Sequence, residues 1–274
     1  MIADRKEEKR HSFFSIPLTE PVFIKLSKYI QDNYGIKMPP AKKTMLEARL
    51  QKRLRELDIS SFDDYYRFLF SKEGCGEELL RMIDSVTTNK TDFFREPAHF
   101  DFLSSELLPR FITEKGWGTQ RALRVWSAGC SSGEEPYTIY MVLKEYSREE
   151  PSFRFSILAS DLSCRMLEKA ATGIYRADKV ECVSWHFKKK YMLRSKSKEC
   201  AEVRMKPEAR SAIRFMRINL IGEGNFPIKE KMDIIFCRNV MIYFQRDTQE
   251  KLIRRFYDQL NPGGVLFLGH SETL

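Results

Sequence analysis

The stretch VWSAGCSSGEEPYTIYMVL, Val125 to Leu143, changes character twice. It opens as a short apolar strand, bends through two glycines, and continues with the apolar spacing of a helix. Two carboxylates, Glu134 and Glu135, fall in the first turn of that helix. A strand, a glycine turn and a helix start make a layout that often receives phosphate, because unpaired backbone N–H groups point outward there. Two negative charges at the same place disfavour a phosphate. They suit a ligand with a cationic end, or they simply complement the helix dipole.

Outward from this stretch, strand and helix patterns alternate. ALRVWSA, FRFSILASD, AIRFMRINL, MDIIFC and VLFLGH read as strands, with NPGG as a turn before the last. EEPYTIYMVLKEY, CRMLEKAATG and TQEKLIRRFYDQL read as helices between them. Alternation of this kind predicts a parallel sheet covered by helices. Residues 174–211 break the pattern, and YMLRSKS and AEVRMKP there read as short edge strands of a small appended sheet. Upstream, AHFDFLSSELLPRFITEKG reads as one helix and TTNKTDFFREP as a polar connector with a central aromatic pair.

The first third is different. Residues 1–20 read as a mobile charged arm, and 21–88 as a small all-helical domain. Its second helix carries Leu46, Leu50, Leu54 and Leu57 as an apolar stripe. Arg49, Lys52 and Arg53 are predicted to project together from another side, since offsets of three and four share a helix face.

The totals bound the class. The chain has 274 residues, 42% of them hydrophobic and 12% aromatic, enough for a core. No apolar run approaches the roughly 18 residues of a membrane helix, and MIADRKEEKRHS lacks the apolar segment of a signal peptide, so a cytoplasmic location is expected. A net charge of +9 calls for an acidic partner of some kind. The six cysteines are scattered and the four histidines lack paired spacing, so neither a zinc site nor a redox pair is expected.

Ligands of open parallel sheets bind beyond the carboxyl ends of the strands. Asp161 ends the second strand, at the distance from the glycine turn that suits the ribose hydroxyls of an adenosine ligand; it also suits a cap for the next helix. Asn219 and Leu220 follow the third strand, and Arg238 and Asn239 the fourth. S-adenosylmethionine fits such a set. It has an adenosine, no phosphate, and cationic ammonium and sulfonium groups.

TTNKTDFFRE, VWSAGCSSGEEPYTIYM, ILASDLS, GIYR, INL, FCRNVMIYF and GGVLFLGHSE, in that order, resemble the CheR chemotaxis receptor methyltransferases from about Phe13 onward. The resemblance implies an S-adenosylmethionine-dependent, Rossmann-like α/β methyltransferase domain over 100–274, with a small antiparallel insertion at about 174–211. A connector, 89–99, and the all-helical N-terminal domain precede it. It implies transfer of a methyl group to glutamate side chains on the cytoplasmic helices of chemoreceptors, giving glutamyl methyl esters. Asn89, Thr91, Arg95, Glu135, Asp161, Asn219, Leu220, Arg238 and Asn239 match cofactor-contacting positions of the family. Tyr243 matches a tyrosine near the transferred methyl, and Arg95 also faces the incoming carboxylate. Arg49, Lys52, Arg53 and Arg55 match the basic helix that meets the receptor. In some members the inserted sheet binds a receptor tail peptide. The last hairpin usual in this fold falls outside the 274 residues.

Such chemistry needs no histidine or cysteine base, because a glutamate is already ionised at neutral pH. Two other functions make different demands. A nucleic-acid methyltransferase would carry an Asn-Pro-Pro-Tyr signature or a Pro-Cys nucleophile after the fourth strand, where this chain has CRNVMIYF. A non-catalytic S-adenosylmethionine-binding adaptor would tolerate loss of Arg95 or Tyr243, and both are present.

Overall fold

In a computed structural model, which describes residues 16–196 and 201–272, the chain forms two units. One holds 16–28 and Met38–Val86; the other holds Tyr29–Lys37 and the chain from Thr87 onward.

The first unit takes the start of α1 (Glu20–Tyr34) with α2 (Lys43–Glu56), α3 (Phe62–Leu69) and α4 (Glu77–Val86). Phe23, Leu26, Leu46, Leu50, Leu54, Phe62, Met82 and Ile83 are buried in it. Ser61 caps α3, accepting the Asp64 N–H at 3.1 Å. Most of the expected charged arm lies outside the described residues, but 16–18 do not behave as one. The Ile16 and Leu18 N–H groups donate to the side chains of Gln51 and Glu47 on α2, and Leu18 is buried.

Arg53 departs from the expected basic face. It is 7% exposed, and its guanidinium forks onto Glu78 of α4, Nε to Oε1 at 2.9 Å and Nη2 to Oε2 at 2.6 Å. The Tyr65 hydroxyl donates to the same carboxylate at 2.9 Å, and Glu56 closes the other side of the guanidinium. Position 53 lies three residues after Leu50 and so turns inward with the leucine stripe. The Glu78 hydrogen bond holds the Arg53 guanidinium above its ordinary range, against burial; burial and then the Glu78 charge push the Tyr65 hydroxyl up. Arg49 is half-buried and donates to the Val86 carbonyl. Lys52 and Arg55 are the exposed members of the set.

The second unit continues with α5 (Ala98–Phe102), a π-helical turn over Leu103–Leu107 and α6 (Leu108–Lys115). The single helix expected there is thus interrupted. Pro109 has no N–H for the carbonyl four residues back, and a widened turn before it absorbs the mismatch. Then follow β1 (Leu123–Ala128), α7 (Glu134–Glu149), β2 (Phe155–Asp161), α8 (Cys164–Thr172), β3 (Ile174–Arg176), α9 (Trp185–Tyr191), β4 (Met192–Arg194), β5 (Glu202–Met205), α10 (Pro207–Ser211), β6 (Ile213–Arg217), β7 (Met232–Cys237), α11 (Arg246–Gln259) and β8 (Leu260–Leu268).

The main sheet is parallel, in the order β6-β2-β1-β7-β8. Alternate side chains feed opposite faces. Val125, Ile157, Ile234 and Phe236 enter one cluster; Trp126, Leu158, Ile235 and Cys237 enter the other. Helices cover both, so the strands are apolar nearly throughout. Between Met232 and Ile234 the β8 register jumps from Leu260 to Val265, so the expected NPGG turn is a bulge inside the strand, with Gly263 at φ +86°. The small sheet is antiparallel, β3-β5-β4. Its middle strand is β5 rather than an edge, because β3, from the GIYR segment, pairs on its free side.

Tyr29–Lys37 is held to the second unit by its backbone. Ile36 bridges to Phe244, the Lys37 N–H donates to the Tyr243 carbonyl at 2.8 Å, and Asn219 Nδ2 donates to the Asn33 carbonyl at 2.8 Å.

Candidate active site

The chain lays down β1, β2 and β6 in one direction and then returns with β7 on the other side of β1. Such a reversal opens a crevice at the strand ends. The glycine turn after β1, Asp161 after β2 and Arg238–Asn239 after β7 all border it.

The turn is shaped from two sides. Gly129 and Gly133 have φ +89° and +97°, and Ser131 between them has φ +48°. A Cβ on Gly129 would meet Val240 at 2.5 Å, and one on Gly133 would meet Ala170 at 2.8 Å, so both glycines are also required for packing. Asp161 fixes the turn: Oδ2 accepts the Ser131 N–H at 2.8 Å, and Oδ1 accepts the Ser163 N–H at 2.9 Å. The helix cap itself falls to Ser163, whose hydroxyl accepts the Met166 N–H at 3.1 Å. Ser131 Oγ donates to the Asn89 carbonyl at 3.1 Å, which joins the connector to the same turn.

Arg238 is the hub of the other half. Its side chain is 2% exposed and divides itself between two carboxylates, Nη1 to Glu135 Oε2 at 3.1 Å and Nη2 to Glu96 Oε2 at 3.0 Å. It also donates to the Arg95 carbonyl and lies over the Phe100 ring at 5.4 Å. Glu135 accepts the Ser127 hydroxyl at 2.7 Å. Burial pushes Glu135 up, and Arg238, Ser127 and the charge of Arg95 pull against it. Burial acts on Glu96 in the same sense, but the hydrogen bond and charge of Arg238 prevail and hold it below the usual range. Glu134 is buried too, pushed up by burial, and accepts the Ser132 hydroxyl.

Glu96 and Glu272 complete the hydrogen bonding at this crevice, and no local pattern in the sequence singles them out. Glu96 holds Arg238 and, at 3.4 Å, Asn239 Nδ2. Glu272 accepts the N–H groups of Asn239 and Gly269 at 2.8 Å on one oxygen and that of Met241 at 2.7 Å on the other, clamping the loop after β7 to the end of β8. Both glutamates lay inside segments used for the resemblance, FFRE and GHSE. Their pairing with residues more than a hundred and about thirty positions away leaves no local signal.

Asn89 and Asp161 therefore meet at Ser131, while Arg95, Glu135 and Asn239 are joined through Arg238 and Glu96. Thr91 is half-buried in the connector. Asn219 spends its amide on Asn33 and its own turn, and Leu220 is buried. Tyr243 lies half-buried against the cluster of Trp126 and Phe256, on a short 3-10 turn over Met241–Tyr243.

Four residues that are not glycine adopt left-handed backbone around this crevice: Phe94 at φ 51°, Glu96 at 54°, Ser131 at 48° and Asn239 at 58°. Such strain concentrates at functional sites. Arg238 Nε, a donor, and Asn239 Oδ1, an acceptor, are buried with no hydrogen-bond partner among the described residues. A carboxylate-and-ammonium ligand end would complement that pair, and the ribose diol would complement Asp161, so the donor set suits S-adenosylmethionine.

Comparison with known proteins agrees with this geometry. "CheR methyltransferase, SAM binding domain" matches residues 89–274, and "CheR methyltransferase, all-alpha domain" matches 21–87. The chain is 39% identical over 262 residues to the chemotaxis protein methyltransferase of Borreliella burgdorferi, covering 95% of this chain and 90% of that protein. It is 37% identical over 258 residues to that of Escherichia coli, covering 94% and 86%. It is 35% identical over 260 residues to chemotaxis protein methyltransferase 2 of Vibrio cholerae, covering 94% and 88%. With an all-helical unit ahead of an S-adenosylmethionine-binding α/β unit, and both family descriptions matched in order, this chain belongs to the CheR methyltransferase family.

Proposed function

We propose that this methyltransferase esterifies glutamate side chains on the helical cytoplasmic region of chemoreceptors. What carries the reading is its likeness to chemotaxis protein methyltransferases along 94–95% of the chain. No described helix is long and apolar enough to cross a membrane.

Bound S-adenosylmethionine supplies an electrophilic methyl group. Asp161 bonds the ribose; Asn89, Thr91, Glu135, Asn219, Leu220, Arg238 and Asn239 surround the rest. The substrate carboxylate is ionised at neutral pH, with a reference pKa of about 4.3, so the chain needs only to hold it in line and dry. Arg95 orients that carboxylate, and the Tyr243 hydroxyl lies near the transferred methyl. Positioning of this kind contributes roughly 7–11 kcal/mol in favourable cases.

Asp161→Ala is expected to weaken S-adenosylhomocysteine binding by roughly 1–3 kcal/mol, the cost of unpaired buried polar groups. Some of that loss comes from the freed Ser131 N–H, so calorimetry should compare the 2′-deoxy analogue as well. Wild type should prefer the hydroxylated ligand and the variant should not. Equal discrimination in both removes Asp161 from the ribose.

The receptor-facing surface is α2, through Lys52 and Arg55; Arg53 is excluded because it is buried in the Glu78 pair. Exposed charge is screened within about 8 Å at physiological ionic strength. Lys52→Glu/Arg55→Glu is therefore expected to raise KM for a receptor cytoplasmic fragment in a methyl-transfer assay, most strongly at low salt, while S-adenosylhomocysteine affinity stays constant. An unchanged KM at low salt would remove this face. The small sheet adds two open edges, β3 and β4, with Ile174 and Leu193 exposed, which suits an extended receptor tail peptide.

A further inference from the structure

Spacing along the sequence suggests no metal site, yet the fold gathers three potential ligands from distant segments. Glu96 and His99 stand three residues apart where the connector enters α5, and His270 follows β8. Glu96 Oε2 lies 3.6 Å from His99 Nδ1 and 3.9 Å from His270 Nε2, and the three ligand atoms all fall within 4.8 Å of one another. The two imidazole rings meet edge to face, with centroids 5.4 Å apart. His99 Nδ1 is buried without a hydrogen-bond partner among the described residues.

An unused imidazole nitrogen pointing at a carboxylate and a second imidazole is the donor set of a three-ligand site with one position open. Tetrahedral zinc, with bonds of about 2.0–2.1 Å, sets its ligand atoms about 3.3 Å apart. The separations from Glu96 exceed that by about 0.3 Å for His99 and about 0.6 Å for His270. His270, whose side chain is 66% exposed, is free to close the remainder by rotation. Two nitrogens and one oxygen suit zinc and neighbouring divalent transition metals rather than magnesium or calcium.

Occupancy would not leave the crevice untouched. Glu96 is one of the two carboxylates that hold Arg238, and it also bonds Asn239 Nδ2. A dication drawing on Glu96 competes with the guanidinium for the same oxygen and repels it. Arg238 has Glu135 to fall back on, so it can yield its share of Glu96 without being left unpaired.

We propose that Glu96, His99 and His270 form a binding site for a divalent transition-metal ion, best matched by zinc, and that the bound ion competes with Arg238 for Glu96 and so weakens cofactor binding. The second half rests on Arg238 belonging to the cofactor site. By linkage, S-adenosylhomocysteine must weaken zinc binding by the same factor.

The test uses the full chain. Zinc is titrated while the histidine side-chain nitrogens are followed by 15N NMR, with His270→Ala alongside. The expected result is one ion that moves His99 Nδ1 and His270 Nε2, with affinity reduced about tenfold or more in the variant. Zinc taken up by the exposed thiols of Cys75 and Cys182 would be insensitive to His270→Ala. If the variant binds zinc as wild type does, or those two nitrogens do not move, the site is overturned. Calorimetry with S-adenosylhomocysteine tests the coupling. Affinity should fall severalfold with zinc in wild type and stay constant in His270→Ala. Zinc bound through those nitrogens with no change in S-adenosylhomocysteine affinity overturns the coupling alone. Failure of Arg238 variants to alter that affinity in zinc-free protein would instead overturn Arg238 as part of the cofactor site.

Discussion

Arg53→Ala is expected to destabilise the helical unit by roughly 3–5 kcal/mol, the cost of leaving one member of a buried ion pair alone. Glu78 is 5% exposed, and without Arg53 it keeps, among the described residues, the Tyr65 hydroxyl as its partner. Amide hydrogen exchange in the full chain should show α2, α3 and α4 losing protection together, while β1 and β7 keep theirs. The double variant Arg53→Met/Glu78→Leu should recover most of the loss, because well-packed apolar side chains replace buried pairs at little cost. A single variant that loses less than about 1 kcal/mol would mean that the pair is not what holds the three helices together, since typical surface changes fall within that range.

This bears on any test of docking. Reversing Arg53 would lower receptor methylation whether or not the helix touches a receptor, because it would disturb the fold. Lys52 and Arg55 carry no such ambiguity; among the described residues Lys52 reaches Glu56, at 3.5 Å, and Arg55 its own helix backbone.

Arg53 also shows where sequence reading stops. The leucines of α2 were legible, since burial obeys a period of 3.6 residues. Charge at position 53 predicts exposure because long charged side chains are almost never buried unless paired. The pairing partner, Glu78, sits on another helix and leaves no trace in the local pattern. The main sheet was legible for the converse reason: runs such as MDIIFC are apolar on both faces but for Asp233 and too short for a helix, which suits a strand covered on both sides. The bulge at Asn261–Gly264 was not, because Asn-Pro-Gly-Gly signals a turn equally well when the strand resumes its pairing beyond it in a shifted register. At the crevice, strand ends pointed to Asp161, Arg238 and Asn239. The network around Arg238 was invisible, because Glu96 and Arg238 are 142 residues apart and only the folded sheet joins them.

That network sets the last expectation. Arg238→Met should destabilise the second unit by roughly 3–5 kcal/mol near pH 7–8 and weaken S-adenosylhomocysteine binding more than tenfold. Methionine keeps much of the stem's packing and removes the charge, so Glu96 and Glu135, whose side chains are each 13% exposed, lose the cation they share. In wild type the folded-state pKa of Glu96 is depressed. Its contribution is therefore present above the unfolded value, about 4.3, and is lost as pH falls through the folded value. In the variant the largest depression of Glu96 is lost, leaving burial opposed by the hydrogen bonds of the His270 N–H and Asn239, so Glu96 moves up, and Glu135, already raised, climbs further. A carboxyl with a raised folded value favours the fold below its unfolded value and loses that contribution as pH rises through the folded one. The stability gap between wild type and variant should thus be widest at pH 7–8 and close as pH approaches 4, read as urea midpoints across that range. Arg238→Lys should restore part of the gap at neutral pH but little of the ligand affinity, because an ammonium supplies charge without the fork that spans Glu96 and Glu135. A gap of equal size at pH 5 and pH 8 would mean that Arg238 acts through its contact with Phe100 and the Arg95 carbonyl rather than through the two carboxylates.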